Sequence, residues 1–169
     1  YVADHNSGLQ IIDINAAVSM TVAQHNAFSG TITAAGTQTI TFTDAGTATG
    51  FSAVEAYILA AGTNAFTLGA ASQNVTTGSG AITVNTGTIA DITDSVIDGT
   101  NATTSLAIVL GATSDISDAV ITGTSGSQDA NYSITLDGFD STLTIAQNAL
   151  INSATGTNTV TLADAGTTT

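Results

Sequence analysis

The 169-residue chain contains no lysine, arginine, cysteine, proline or tryptophan. With 13 acidic residues and no fixed cation among the side chains, its formal charge is -13 and its isoelectric point lies near 4.1. No side-chain ammonium or guanidinium is present to neutralise a phosphate, which makes nucleic acid and anionic membrane surfaces very poor partners. Divalent cations are the natural counterparts of such a chain. The lack of Lys and Arg also removes every site for trypsin-like proteases, in keeping with exposure outside the cell. Without cysteine there are neither disulfides nor thiol redox chemistry, which fits a bacterial extracellular protein. No run of about 18 apolar residues occurs, so no bilayer-spanning helix is expected. Tyr1 is not an initiator Met, and no basic segment near it leads into an apolar one as in a secretory signal peptide.

What the chain has instead is threonine, about a fifth of all residues, and a repeated phrase. Residues 36–46 read GTQTITFTDAG, residues 156–166 read GTNTVTLADAG, and a looser version, GTNAFTLGAA, spans 62–71. In each, large apolar residues fall two apart: Ile40 and Phe42, Phe66 and Leu68, Val160 and Leu162. That spacing places both members of a pair on one face of an extended strand, with threonines or small residues on the other. A second match extends the doubling. Met20-Thr-Val-Ala-Gln24 corresponds to Leu143-Thr-Ile-Ala-Gln147 at an offset of 123 residues, while the Gly-Thr phrases lie 120 apart, so three residues are missing from the later copy. Residues 1–143 thus hold one period of about 120 residues with a lead-in, and residues 144–169 begin another. The expectation is a segment of a longer chain, or a subunit whose last repeat a neighbour completes.

Between the matched phrases, strand signals recur every 10 to 14 residues or so, at 53–60, 65–69, 81–85, 95–98, 106–110, 119–122, 132–136 and 142–146. Each is rich in Val, Ile, Thr or aromatics and is followed by Gly, Asn, Asp or Ser. Residues 16–27 and 145–151 have the composition of short helical turns. The fold class is all-β, a parallel β-solenoid or stacked β-repeat array, with a β-sandwich as the alternative. Asp98-Gly99 and Asp137-Gly138 are hairpin-type dipeptides that a sandwich would use. Five Phe, three Tyr and one Met cannot fill a wide sandwich core. Val, Ile, Leu and Ala stacked rung on rung can fill a thin one at native density.

The stretch Thr77-Gly-Ser-Gly-Ala-Ile-Thr-Val84 resembles the Gly-rich nonapeptide of RTX proteins, G-G-x-G-x-D-x-U-x, with Gly78, Gly80 and Val84 at matching positions. Ile82 stands where that family carries its calcium-binding Asp. The wider text, residues 54–69 and the two Thr-(Val/Ile)-Ala-Gln blocks, is similar to the spacer repeats of large RTX-type bacterial surface proteins. The resemblance implies secretion without an N-terminal signal peptide, a cell-surface or matrix location, and a structural or adhesive role.

Among the acids, Asp91, Asp94 and Asp98 lie within eight residues, and Asp115 and Asp118, like Asp137 and Asp140, are three apart. Calcium takes six to eight oxygens, and loops dense in Asp, Ser and Thr supply them. Asp91, Asp94 and Asp98 are the candidate Ca2+ ligands; the competing reading is that they are solvated turn residues, hydrogen-bonded locally. His25 has no counterpart in the later copy, where Gln147 is followed directly by Asn148 and Ala149, and His5 lies near the start. Neither points to catalysis. Paired carboxylates alone, with no basic residue, make polysaccharide hydrolysis a remote reading. The functional expectation is a non-enzymatic structural repeat of a bacterial surface layer, fibre or adhesin stalk, self-associating through strand ladders, with cations available to bridge subunits. A calcium-dependent adhesin or an ice-binding solenoid with Thr-x-Thr arrays is the alternative.

Overall fold

The computed structural model describes residues 11–13, 17–33, 36–124 and 132–164. His5 and the final Ala-Gly of the second phrase lie outside them. In chain order the elements are β1 (Ile11–Asp13), β2 (Val18–Met20), α1 (Val22–Asn26), β3 (Thr31–Thr33), β4 (Thr39–Phe42), β5 (Thr47–Thr49), β6 (Ala56–Ile58), β7 (Asn64–Thr67), β8 (Asn74–Thr76) and β9 (Ala81–Asn85). There follow β10 (Val96–Asp98), β11 (Ser105–Val109), β12 (Ser114–Asp115), β13 (Val120–Thr122), β14 (Ser133–Thr135), β15 (Ser141–Leu143), α2 (Ile145–Asn148), β16 (Ile151–Ser153) and β17 (Val160–Leu162).

Every strand pairing among these residues is parallel. Sheet I runs β13-β10-β8-β6-β4-β2 and sheet II runs β16-β14-β11-β9-β7-β5; β12-β15-β17 form a smaller sheet III, and β1 pairs with β3 separately. Successive strands pass from one sheet to another and return one rung further on, which is a parallel β-solenoid. A sandwich is excluded by the same pairings, since its strands would be antiparallel. The two hairpin-like dipeptides turn corners instead. Asp98 ends β10 in sheet I and the chain passes to sheet II, while Asp137 (φ 49°) and Gly138 (φ 89°) carry it from sheet II to sheet III.

The coils lengthen along the axis. Ile40, Tyr57 and Val75 stack on consecutive rungs of sheet I, so the early coils take 17 or 18 residues and visit two faces. From Val75 to Ile97 and on to Ile121 the interval grows to 22 and then 24 residues. The added length makes room for a third face, which starts where Asp91 bridges to Asp115.

Strands of three or four residues turn only one or two side chains inward, and these form the core columns. Ile40, Tyr57, Val75 and Ile97 line sheet I; Phe66, Val84, Ile108 and Ile134 line sheet II; Ile92, Ile116 and Leu143 line sheet III, all buried. Each contributes about 1.5–3 kcal/mol by leaving water, realised only when the neighbouring rung is in place.

Corners are fastened by buried polar side chains that bond across coils. Gln73 donates to the carbonyls of Phe51 (2.8 Å) and Val54 (2.6 Å) and accepts from Gly69 N (2.8 Å). The Ser95 and Ser114 hydroxyls donate one coil back, to Ala71 O at 2.7 Å and Ile89 O at 2.8 Å. Such pairing is what lets polar atoms sit in so thin a core. In the RTX-like stretch, a Cβ on Gly78 would stand 2.2 Å from Ala60 O, so the glycine is needed for one coil to approach the next.

Candidate assembly surface

The two phrases matched in the sequence build the same device twice. In the first copy β2 leads into α1 through a capping box: the Thr21 hydroxyl accepts from Gln24 N at 3.1 Å, and Gln24 Oε1 accepts from Thr21 N at 2.9 Å. The next rung, β4, then lies on β2, and Asp44 just beyond it reaches back to accept from Val22 N at 2.7 Å, satisfying a first-turn N–H of the helix. In the second copy the Thr144 hydroxyl accepts from Gln147 N at 3.1 Å, Gln147 Oε1 accepts from Thr144 N at 2.8 Å, and Asp164 accepts from Ile145 N at 2.7 Å. β17 lies on β15 as β4 lies on β2. Gly36 (φ 92°) and Gly156 (φ 73°) open both phrases in the left-handed region, which a side chain would resist.

Equivalent rungs are covered differently. Ile40 and Phe42 of β4 are 0% and 3% exposed, because β6 lies on their outer edge. No strand lies on the outer edge of β17 among the described residues; Val160 is half-buried and Leu162 is 37% exposed. The core column of sheet III, in which Ile92, Ile116 and Leu143 are all fully buried, therefore continues into an open apolar position. Ile58, Val96 and Val120, the other exposed large apolar residues, lie on the outer face of sheet I.

The candidate calcium ligands lie on different parts of one coil. Asp91 accepts from both the backbone N and the hydroxyl of Thr93. Those bonds hold its carboxyl below the usual carboxylate range. Asp98 binds Thr100 N (3.0 Å) and Thr100 Oγ1 (2.7 Å) in the same way. Asp94 is an exposed turn residue with φ 66°. Among the described residues there is no group of three or more His, Cys, Asp or Glu that could hold a metal ion. The stacked pair is Asp91 with Asp115, one coil apart, and Asp115 in turn binds Ser117 locally.

No family model, curated protein or solved structure matches the chain. The site is therefore read from its own geometry.

His25 is core rather than surface. It is 1% exposed, stacks on Phe51 with ring centroids 4.1 Å apart, meets Phe42 edge-on at 5.1 Å, and places Nε2 3.3 Å from the Tyr57 hydroxyl. Burial pushes its pKa below the usual value, partly offset by the hydrogen bond to Asn26. The Tyr57 hydroxyl also accepts from Phe51 N at 2.8 Å, and burial raises its pKa. A cleft of about 730 Å³ beside sheet II is lined by Gly, Thr, Ser and apolar residues such as Ile32, Phe51 and Ile89, with no titratable side chain.

The threonines form no regular two-column array. On sheet I both outward positions are Thr only on the Thr39/Thr41 rung, and the rungs beyond carry Ala56/Ile58, Asn74/Thr76, Val96/Asp98 and Val120/Thr122. On sheet II the double-Thr rung is Thr47/Thr49 alone. No helix among the described residues is long and apolar enough to cross a membrane.

Proposed function

We propose that this chain is a structural repeat module of a bacterial cell-surface or extracellular assembly, a fibre, surface layer or adhesin stalk. It assembles by continuing its strand ladders, and no catalytic step is part of the reading. The observation that carries it is the open rung β16–β17, a solenoid end with an apolar side chain exposed where every earlier rung of its column is covered. An unpaired parallel edge with an apolar inner position is a template for another strand. The absence of Lys and Arg and the RTX-like spacer text support secretion and an outside location. Net charge of -13 opposes non-specific clumping, and divalent cations between molecules would lower that repulsion.

Electron microscopy and sedimentation of the purified chain, with and without chelator, test this. Filaments or sheets with a regular repeat are the expected result. A monomer that persists at high concentration in the presence of calcium would overturn it.

A further inference from the structure

We propose that the open edge of β17 seats a second copy of the coil formed by residues 46–59, carried on the same backbone, in the register Thr159 to Ala56, Val160 to Tyr57 and Thr161 to Ile58. The inference rests on the assembly reading above and specifies the partner and its alignment.

β17 is equivalent to β4 in sequence, in its pairing with the preceding rung, and in the Asp that follows it and bonds the helix below. Within this molecule β4 already carries such a coil. Its register is Thr39 to Ala56, Ile40 to Tyr57 and Thr41 to Ile58, and Ala56 N donates to Gln38 O at 3.0 Å. Asn158 holds the position of Gln38 in the later copy.

The coil brings most of what it needs. Tyr57, fully buried on β4, takes the hydrogen bond from Phe51 N within the coil itself, so its hydroxyl stays partnered on a rung that lacks His25. Val54 and Leu59, both buried, flank it. Seating the coil would bring Leu162 from 37% exposure towards the 3% of its counterpart Phe42. Leu162 is smaller than Phe42, and Tyr57 would fill part of that difference.

The test is the full chain extended after Gly166 by a duplicate of residues 47–123, compared with the original. Hydrogen exchange at residues 160–162 is expected to slow at least about tenfold in the extended chain, with one cooperative melting transition at higher temperature. Leu162→Asp should lower the melting temperature far more in the extended chain than in the original. If the long chain aggregates, a graft of residues 47–61 reads the same exchange. Unchanged exchange in a soluble extended chain, or an equal effect of Leu162→Asp in both backgrounds, overturns the register. Filaments of the native chain alongside a duplicate that fails to seat would sink this inference and leave the assembly reading standing. A seated duplicate with a strictly monomeric native chain would do the reverse.

Discussion

The two copies of the strand, helix and strand device differ in what is packed around them and agree in what is hydrogen-bonded within them. Thr21 and Thr144, Gln24 and Gln147, Asp44 and Asp164 make the same bonds to within 0.1 Å of one another. Around the first copy, His25, Phe42, Phe51 and Tyr57 form one aromatic cluster. Around the second there is no histidine, Leu162 replaces Phe42, and the connection from α2 onward is three residues shorter. Directional polar contacts define how the coil folds back on itself, whereas the apolar filling is exchangeable as long as volume is conserved.

The contrast can be broken most severely at the equivalent apolar positions. Phe42→Ala should destabilise the chain by about 3–5 kcal/mol, and Leu162→Ala, partly in water already, by less than about 1.5 kcal/mol, both read from urea unfolding. Equal losses would mean that β17 is as well covered as β4. The shared polar device predicts the opposite pattern. Thr21→Ala and Thr144→Ala should each cost about 1 kcal/mol, alike within error, since each removes the same cap.

Thr77, in the coil between the copies, is 1% exposed and its hydroxyl has no partner. Thr77→Val should gain about 1 kcal/mol, a shift in the urea midpoint that neither copy of the device would share.

The histidine separates the copies by pH. Because the folded-state pKa of His25 lies below its unfolded value of about 6.5, the unfolded chain binds the extra proton first. Stability is therefore full above that pH and falls as pH drops below it towards the folded pKa. His25→Asn, which brings the first copy nearer the second, should flatten the melting temperature between pH 7 and 5; an unchanged slope would place the titration elsewhere. Smallest of all is the expected effect of chelator on the melting temperature of the isolated chain, which is none, because the Asp91 and Asp98 carboxylates are held in their own turns. A clear fall on chelation would show a cation bound within the solenoid.

Much of the winding was legible in the residues. The 120-residue repeat, the threonine-rich strands and the shortage of bulky side chains pointed to a thin stacked core, and 81–85 was located to the residue. Strands such as Asn74–Thr76 and Thr47–Thr49 escaped because each turns a single residue inward, Val75 or Ala48, too little for a period-two signal. Residues 142–146 read as one strand, but the strand ends at Leu143 and Thr144 starts a helix. The Thr-x-x-Gln capping box was the available cue. Asp91, Asp94 and Asp98 looked like a cluster because they are close along the chain. In a solenoid, neighbours along a coil diverge around its perimeter, and residues come together one coil apart, as Asp91 and Asp115 do. The open rung could not be read from composition at all, since it depends on which strand covers which.

The coil length has a mechanical meaning. Each coil adds about 4.8 Å to the stack, yet its 17 to 27 residues would span roughly 60–90 Å once straightened. Tension applied along the axis loads the ladder one coil at a time from an end, unzipping a few hydrogen bonds per step in place of shearing a whole sheet. The molecule should pay out under load in steps more than ten times the rise they remove, yielding early and dissipating work at each release. Such a spring resists detachment by lengthening before it breaks.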